Sequence, residues 1–257
     1  MTSFVQKIQD ELTLENILAL AIRTPGVKID RSTFLRKELI KYYPEELIKT
    51  AIEFNPARAG IDRKTINKIS LSVINYEATK VTALSVAASL PSSATFVVAA
   101  GAATADITSF FVHILRIVQE LAYLYGFEQF DLSEDSIDSE TMQFLLLFVG
   151  VMFGVQGAAT ALQKLANTLA AHISKTLARK ALTKGVVYPV VKQIAAKIGV
   201  KITKQVFADT VASGIPAAGS IVSGVLTYAM FRPCCIRLRK NLMEYDLSNP
   251  DFYNAKD

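Results

Sequence analysis

The sequence predicts an all-α fold, a multi-helix bundle around a long central helical hairpin with several strongly apolar helices. Within its hydrophobic segments, apolar residues recur about every 3.6 residues, which is the period of an amphipathic helix. No run of alternating β-branched residues bounded by hairpin turns occurs in the sequence. At 257 residues and 51% hydrophobic content, the chain is long and apolar enough to bury a sizeable core.

The N-terminal third predicts short amphipathic helices. They cover residues 14–22, 31–43 and 44–54. Asp30 caps the second helix, and Pro44 lies in the first turn of the third, where its missing N–H leaves no helix hydrogen bond unmade. We assign residues 1–55 to an N-terminal helical unit and residues 56–244 to the main helical domain.

Two long helices are predicted to form the central hairpin. Asp62 caps the first of them, which runs toward residue 90, and a short Pro-Ser-Ser connection leads into the second. The second helix covers residues 94–127 and is closed by Gly126. Because most of its residues are apolar, we expect the other helices to cover it.

One polar stripe follows this second hairpin helix. Its members recur at steps of three and four residues and therefore share one side of the helix. They are Asp106, Ser109, His113, Arg116 and Glu120. In a buried helix these groups must satisfy one another, because an unpaired buried charge is costly. We refer to these five residues as the polar stripe.

The polar stripe allows three interpretations: a structural network, a binding site for a ligand or lipid headgroup, and a site of acid–base catalysis. A metal site on this helix alone is excluded, because Asp106, His113 and Glu120 follow one another at steps of about 10.5 Å. A second helix would have to contribute. We favour the structural network, since Arg116 and Glu120 have the spacing of a helix salt bridge.

Residues 142–163 contain no charged side chain and predict one long apolar helix. Its length suffices to cross a bilayer, which needs roughly 20 apolar residues, so insertion and burial in a core both stay open. Gly150, Gly154 and Ala158 recur at four-residue spacing, a pattern that lets two helices touch along their backbones. Residues 215–231 form a second apolar segment that could insert.

Basic residues concentrate in one region. No Asp or Glu lies between Thr141 and Ala208, whereas nine Lys or Arg residues do. We assign membrane-surface contact to Lys164, Lys175, Arg179, Lys180, Lys197, Lys201 and Lys204. Because this charge lies in helical, apolar sequence, we expect an anionic membrane surface as a partner and no nucleic acid. Residues 128–140 carry six acids and no base, and could bind a protein.

The remaining features indicate no cofactor, no metal and no enzymatic activity. The chain has no Gly-rich phosphate loop, no His-Glu-x-x-His motif and no nucleophile elbow. Cys234 and Cys235 are adjacent and are predicted to be reduced. The N-terminus does not have the pattern of a signal peptide, so we expect a cytoplasmic protein, peripheral to or partly inserted in the cell membrane. Residues 245–257, from Tyr245 onward, are predicted to form a polar, frayed tail.

The second hairpin helix resembles the signature of the EcsC family. The matching residues are His113, Leu115, Arg116, Gln119, Glu120, Leu121, Ala122, Tyr123, Leu124, Tyr125, Gly126 and Phe127. Further matches lie at Pro56, Ala59, Gly60, Ile61, Asp106 and residues 214–219. The resemblance covers residues 56–242. It departs from the family at residues 89–92, where many relatives carry a Gly-Leu-Pro-Gly type turn and this chain has Ser-Leu-Pro-Ser.

This resemblance implies membrane association and a regulatory or accessory role, since the bacterial family is named for a member encoded beside an ABC transporter and linked to secretion and competence. We therefore expect a non-enzymatic, membrane-associated protein whose further partner is a membrane transporter or another protein. Two alternatives stay open. One is a lipid-binding, lipid-transfer or lipid-processing protein that uses the polar stripe, and the other is a soluble partner-binding module that uses residues 128–140.

Overall fold

The computed structural model describes residues 14–88, 96–132, 139–171 and 219–255. These residues form α-helices and one 3₁₀ turn without a β-strand, which confirms the predicted all-α fold class. The helices are α1 (Leu14–Arg23), α2 (Arg31–Leu39), α3 (Glu45–Glu53), α4 (Arg63–Ala88), α5 (Phe96–Leu124), α6 (Ser139–Met152), α7 (Ala158–Ala171), α8 (Gly219–Leu242) and α9 (Pro250–Asn254), and the 3₁₀ turn is Asp246–Ser248.

The central hairpin consists of α4 and α5, which pack against each other as predicted. Asp62 caps α4 by accepting a hydrogen bond from the backbone N–H of Thr65 at 2.9 Å. The chain leaves α5 through Gly126, whose φ of 99° lies in the left-handed region that favours glycine. The N–H of Phe127 reaches back to the carbonyl of Ala122 at 2.9 Å, so the end of α5 is a Schellman motif.

The N-terminal helices pack on this hairpin through apolar faces. Ile17 and Leu18 of α1 are fully buried, and α1 lies along α5. Asp30 caps α2 by accepting from the N–H of Thr33 at 2.7 Å, as predicted. The helix α2 ends at Leu39 rather than at residue 43, and Pro44 stands at the N-cap of α3, one position earlier than expected.

The prediction of one apolar helix over residues 142–163 is wrong. The segment is divided into α6 and α7 by a turn in which Gly154 has a φ of 69°. The N–H of Val155 bonds to the carbonyl of Gly150 at 2.8 Å, so α6 also ends in a Schellman motif with Gly154 at the left-handed position. Hydrophobic composition alone does not reveal this break, and its local signal is Gly154, a residue type that is common just after a helix end.

The helix α6 lies in the core of the described bundle. Leu145, Leu147 and Phe148 are completely buried, and α6 packs against α5 and α8. Within the described ranges, none of the helices combines the length and the apolar character that crossing a membrane requires.

The helix α8 is longer than the apolar segment from which it was predicted. It continues from Gly219 through Pro233 to Leu242, whereas residues 215–218 lie outside the described ranges. Pro233 is exposed, and the buried residues Phe231, Cys235 and Leu238 continue one apolar face past it. Packing of that face compensates for the backbone hydrogen bond that a proline removes.

The C-terminal segment does not fray, which corrects the prediction for residues 245–255. Tyr245 and Leu247 are 3% and 4% exposed and belong to the same hydrophobic core as the N-terminal helices and the central hairpin. The side-chain amide of Asn55 donates a hydrogen bond to the hydroxyl of Tyr253 at 3.0 Å. The tail is polar in overall composition, but these buried apolar side chains hold it against the core.

Candidate functional site

The candidate site is a buried ion cluster between the two hairpin helices. Glu77 of α4 has no exposed surface, and one of its carboxylate oxygens lies 2.7 Å from Nδ1 of His113. Its other oxygen accepts a hydrogen bond from Nε of Arg116 at 3.3 Å. Both contacts reach across from α5, so a single carboxylate joins the two long helices.

Arg116 connects this pair to two further elements. Its guanidinium donates a hydrogen bond to the backbone carbonyl of Gly26, in the turn that follows α1. On the other side, its Nη2 lies 3.9 Å from Oε1 of Glu120, one turn further along α5. Lys80 approaches Glu77 from the same helix at 3.9 Å. The cluster therefore ties α1, α4 and α5 together, and we call Glu77, His113, Arg116 and Glu120 the ion cluster.

The two carboxylates of the ion cluster have opposite electrostatic environments. Burial disfavours the charged form of Glu77, yet the hydrogen bond from His113 and the positive charge of Arg116 outweigh it and lower the pKa of Glu77. Burial also acts on Glu120, and there the nearby negative charge of Glu77 adds to it, so the pKa of Glu120 is raised to about 8. The folded protein therefore favours the ionised form of Glu77 and the protonated form of Glu120.

Glu120 is the incompletely satisfied member of the ion cluster. The residue is 6% exposed, and its Oε2 is buried without a hydrogen-bond partner among the described atoms. A neutral carboxyl tolerates that position better than a carboxylate does, because desolvating an unpaired charge costs far more than desolvating a neutral group.

Three of the five residues in the predicted polar stripe meet in this cluster: His113, Arg116 and Glu120. Ser109 is half-buried on α5, one helical turn before His113. Asp106 belongs to α5, but its side chain is outside the described part of the molecule.

Sequence reasoning missed Glu77, the residue at the centre of the cluster. The sequence did contain an indication of this role, because Glu77 is the only acidic residue in Arg63–Ala88. A lone acid in a helix that faces a stripe with His and Arg is a candidate partner. What the sequence lacked was the register of α4 against α5, which decides whether Glu77 and His113 meet.

Two further buried polar residues join the N-terminal turns to the core, and the sequence assigned neither of them a contact. The first, Gln119 of α5, accepts from the N–H of Ile29 at 3.0 Å and donates to the carbonyl of Val27 at 2.8 Å. The side-chain amide of Gln119 thereby supplies hydrogen-bond partners to the irregular backbone between α1 and α2. Because a buried backbone group must find a partner, Gln119 fixes where this segment runs.

Arg31 is the second of these residues. Its guanidinium donates to four backbone carbonyls, those of Ala51, Ile52, Phe54 and Phe127, at 2.6 to 3.2 Å. The first three belong to the C-terminal end of α3, where a helix leaves its last carbonyls unbonded and carries partial negative charge. Burial lowers the pKa of Arg31, and these carbonyls supply the hydrogen bonds that replace water.

The predicted basic membrane-surface residues fall mostly outside the described ranges. Lys164 is exposed on α7. The other six, Lys175, Arg179, Lys180, Lys197, Lys201 and Lys204, lie within residues 172–218, which the structure does not describe. Their assignment to a membrane surface stays a prediction.

The predicted helix-packing residues do not share one helix. Gly150 is buried within α6 and Ala158 is buried in the first turn of α7, while Gly154 is exposed in the turn between them. A side chain at Gly154 would meet the guanidinium of Arg237 at 3.5 Å, so the close neighbour there is a flexible side chain rather than a helix backbone. The small-xxx-small interpretation is therefore wrong for Gly154.

The two cysteines are reduced thiols with different environments. Cys235 is fully buried on the core face of α8, and Cys234 is half-buried. Burial raises the pKa of the Cys235 thiol well above its ordinary value, and the neighbouring Cys234 acts in the same direction. A thiol with a raised pKa is a poor nucleophile, so Cys235 contributes packing rather than reactivity.

The best-formed cavities of the described residues lie away from the ion cluster. The two best-formed cavities of the described residues each measure about 10 Å³, about the volume that a single water needs. Neither is lined by a member of the ion cluster. Among the described side chains, no group of His, Cys, Asp and Glu residues has the arrangement of a metal site. The arrangement defines a class of site, a largely buried network of ion pairs and hydrogen bonds that joins helices.

Comparisons of the chain with protein-family models, with curated proteins and with solved structures gave no match. The similarity to the EcsC family accordingly rests on the residues quoted above and stays a prediction.

Proposed function

We propose that this chain is a non-enzymatic helical protein that binds the surface of an anionic membrane and serves as an accessory or regulator of a membrane transport or secretion process. The observation that carries the proposal is the acid-free region of the sequence, where nine Lys or Arg residues follow one another without a compensating Asp or Glu. At roughly 1 kcal/mol per basic residue near an anionic leaflet, four or five free charges hold a protein at that surface.

The non-enzymatic part of the proposal is supported by the ion cluster. His113 and Glu77 have the residue types of acid–base chemistry, but each is buried and engaged with the other. A catalytic site needs room for a reacting group within hydrogen-bonding distance of its acid and base. Arg116 and Lys80 occupy the second oxygen of Glu77, so both partners of the pair are already engaged by side chains of the protein.

The lipid-processing alternative has less support, because the described residues of the polar stripe line neither of the two best-formed cavities. The accessory role comes from the resemblance to the EcsC family, which implies membrane association next to a transporter. A regulator of this kind needs a stable scaffold and a docking surface, and it needs no active site.

Co-sedimentation with vesicles tests the proposal. The wild-type protein is expected to pellet with vesicles that contain phosphatidylglycerol, to ignore pure phosphatidylcholine vesicles, and to be released as salt rises, because electrostatic attraction is screened beyond about 8 Å at physiological ionic strength. The variant with Lys197, Lys201 and Lys204 changed to Glu is expected to bind more weakly.

Failure of the wild-type protein to bind phosphatidylglycerol vesicles at low salt would remove the membrane from the proposal. The partner-binding alternative, in which residues 128–140 contact a basic protein, would then be the better hypothesis.

A further inference from the structure

The described part of the chain carries a basic surface of its own. It lies where α4 and α8 pack side by side, the most extensive helix contact of the described bundle. Both helices carry exposed or half-exposed basic side chains, and two of those on α8 contact α4. Five of these basic side chains are Lys64 and Lys68 of α4 and Arg232, Arg239 and Lys240 of α8, and we call these five residues the basic seam.

Two hydrogen bonds establish the register of the basic seam. Nε of Arg232 donates to Oδ1 of Asn75 at 3.1 Å, and Nε of Arg239 donates to the hydroxyl of Ser70 at 2.8 Å. The residue numbers rise along one helix as they fall along the other, so the helices are antiparallel. This register brings Lys240 to about the same level as Lys68.

The basic seam is not neutralised by the helices that form it. Glu77 is the only acid in α4, it is completely buried, and it is engaged by His113 and Arg116, while α8 contains no acid at all. Lys68 lies 5.2 Å from the centre of the Tyr42 ring, a contact that leaves its positive charge in place. The nearest acids in sequence, Asp62 and Glu244, stand just beyond the ends of the two helices.

The surface of α2 and α3 has a different charge pattern. There, acids alternate with bases, and Arg36 pairs with Glu45 while Lys37 and Lys41 pair with Glu38. Such a mixed surface has little net field, whereas a run of one sign attracts an oppositely charged surface.

An aromatic side chain marks one end of the basic seam. Tyr228 is 40% exposed on α8. Because Arg232 and Arg239 follow at successive steps of four and seven residues, the three side chains share one stripe of the helix. The helical residues before Tyr228, 219–227, carry no charge. A tyrosine between an apolar helix segment and basic residues is the arrangement found at membrane–water interfaces.

We infer that the basic seam is a docking surface for the anionic headgroups of a membrane, with Tyr228 at the level of the headgroup boundary. This inference rests on the proposed function and names a second surface for it, on a pair of packed helices. The adjoining uncharged helix segment and the exposed tyrosine favour a lipid surface over the phosphate backbone of a nucleic acid, which offers no apolar layer.

Neutralisation of the lysines tests the inference. In the variant Lys64→Gln, Lys68→Gln, Lys240→Gln, affinity for phosphatidylglycerol vesicles is expected to fall about a hundredfold, at about fivefold for each basic residue. The matched control is the triple variant of three exposed bases outside the basic seam, Arg23→Gln, Lys49→Gln, Arg58→Gln. The control removes the same net charge and is expected to lose much less affinity.

A fluorescent reporter tests the position of Tyr228. The chain contains no tryptophan, so Tyr228→Trp introduces a single one. On addition of phosphatidylglycerol vesicles its emission is expected to shift to shorter wavelength and to be quenched by lipids brominated on their acyl chains. An emission spectrum that does not change while the protein binds vesicles would overturn the placement of Tyr228 at the membrane.

The outcomes separate this inference from the proposed function. If the seam variant binds vesicles as tightly as the wild-type protein while the Lys197, Lys201 and Lys204 variant does not, the inference fails and the proposed function stands. If the wild-type protein ignores vesicles altogether, both fail. If it binds duplex DNA in place of vesicles and the seam variant loses that binding, the seam is a nucleic-acid surface and the inference is overturned.

Discussion

Glu77 and His113 hydrogen-bond to each other across the two longest helices of the described bundle, with 2.7 Å between Oε2 and Nδ1. An ionised carboxylate only accepts hydrogen bonds, so Nδ1 of His113 carries the proton in this pair. Arg116 binds the second oxygen of Glu77 and also the backbone after α1. The position of the N-terminal helix is thus coupled to the register of the central hairpin.

Glu77→Gln is expected to lower the free energy of unfolding by about 3 to 5 kcal/mol, because it leaves buried donors of His113 and Arg116 without their acceptor charge. Chemical denaturation at neutral pH measures the change. Glu53→Gln is the control, since Glu53 is exposed on α3, and its effect is expected to stay within about 0.5 kcal/mol. Equal stability of the two variants would show that the ion cluster contributes nothing.

The same variant has a pH signature. The pKa of Glu77 is lowered in the folded protein, so the stability it contributes is present above its unfolded pKa and is lost as the pH falls through the folded value. The difference between wild type and Glu77→Gln is therefore expected to shrink in acid. Denaturation of both proteins at a series of acidic pH values measures it.

Glu120→Gln is expected to stabilise the protein increasingly as the pH rises. The pKa of Glu120 is raised to about 8 from 4.5, so the stability contributed by its protonated form is complete below pH 4.5 and is lost as the pH rises through 8. Gln does not titrate, and it keeps a neutral side chain of similar shape. Thermal denaturation of both proteins between the two pKa values and above the folded one measures the effect, and a difference that does not vary with pH would contradict it.

Gly126→Ala is expected to destabilise the fold more than Gly60→Ala does. Both glycines have a positive φ, so each variant incurs a backbone cost of about 1 to 2 kcal/mol. A Cβ at Gly126 would in addition stand 2.8 Å from the carbonyl oxygen of Leu247, whereas Gly60 has open space. The difference between the two melting temperatures measures the effect of the contact between residue 126 and the C-terminal segment. Equal decreases in melting temperature would mean that the C-terminal segment moves away from the added Cβ without cost.

Arg31→Met is expected to cost on the order of 3 kcal/mol, because it removes the donors to three carbonyls at the end of α3 and to the carbonyl of Phe127. Arg58→Met serves as its control. Arg58 is exposed and lies 4.5 Å from the centre of the Phe54 ring, a contact worth about 0.5 to 1 kcal/mol. Amide hydrogen exchange in the Arg31→Met variant is expected to become faster mainly in α3. A uniform increase in exchange rate along the chain would contradict the proposal that Arg31 stabilises the end of α3.

Local features of the sequence predicted much of the helical architecture. Asp30 and Asp62 cap the helices they were expected to cap, and Gly126 closes α5. These motifs act within a few residues of chain, where the backbone groups at a helix end need nearby partners whatever the rest of the molecule does. The spacing of the polar stripe likewise placed its members together on one face of one helix.

The features that the sequence did not predict depend on which helix surfaces pack against each other. A hydrophobic run from residue 142 to 163 has the same composition whether it is one helix or two, and the break at Gly154 became visible only with the turn that joins α6 to α7. The polar composition of the C-terminal segment gave no indication that Tyr245 and Leu247 are buried. Their burial follows from packing against the hydrophobic core.

The sequence by itself determined where helices begin, where several of them end and how charge is distributed along the chain, because those properties arise from neighbours in sequence. Only the tertiary structure decided that Glu77 is the partner of His113 and Arg116, since an ion pair between two helices depends on their packing register. That register is selected by the apolar side chains of the whole core acting together, and no single motif encodes it.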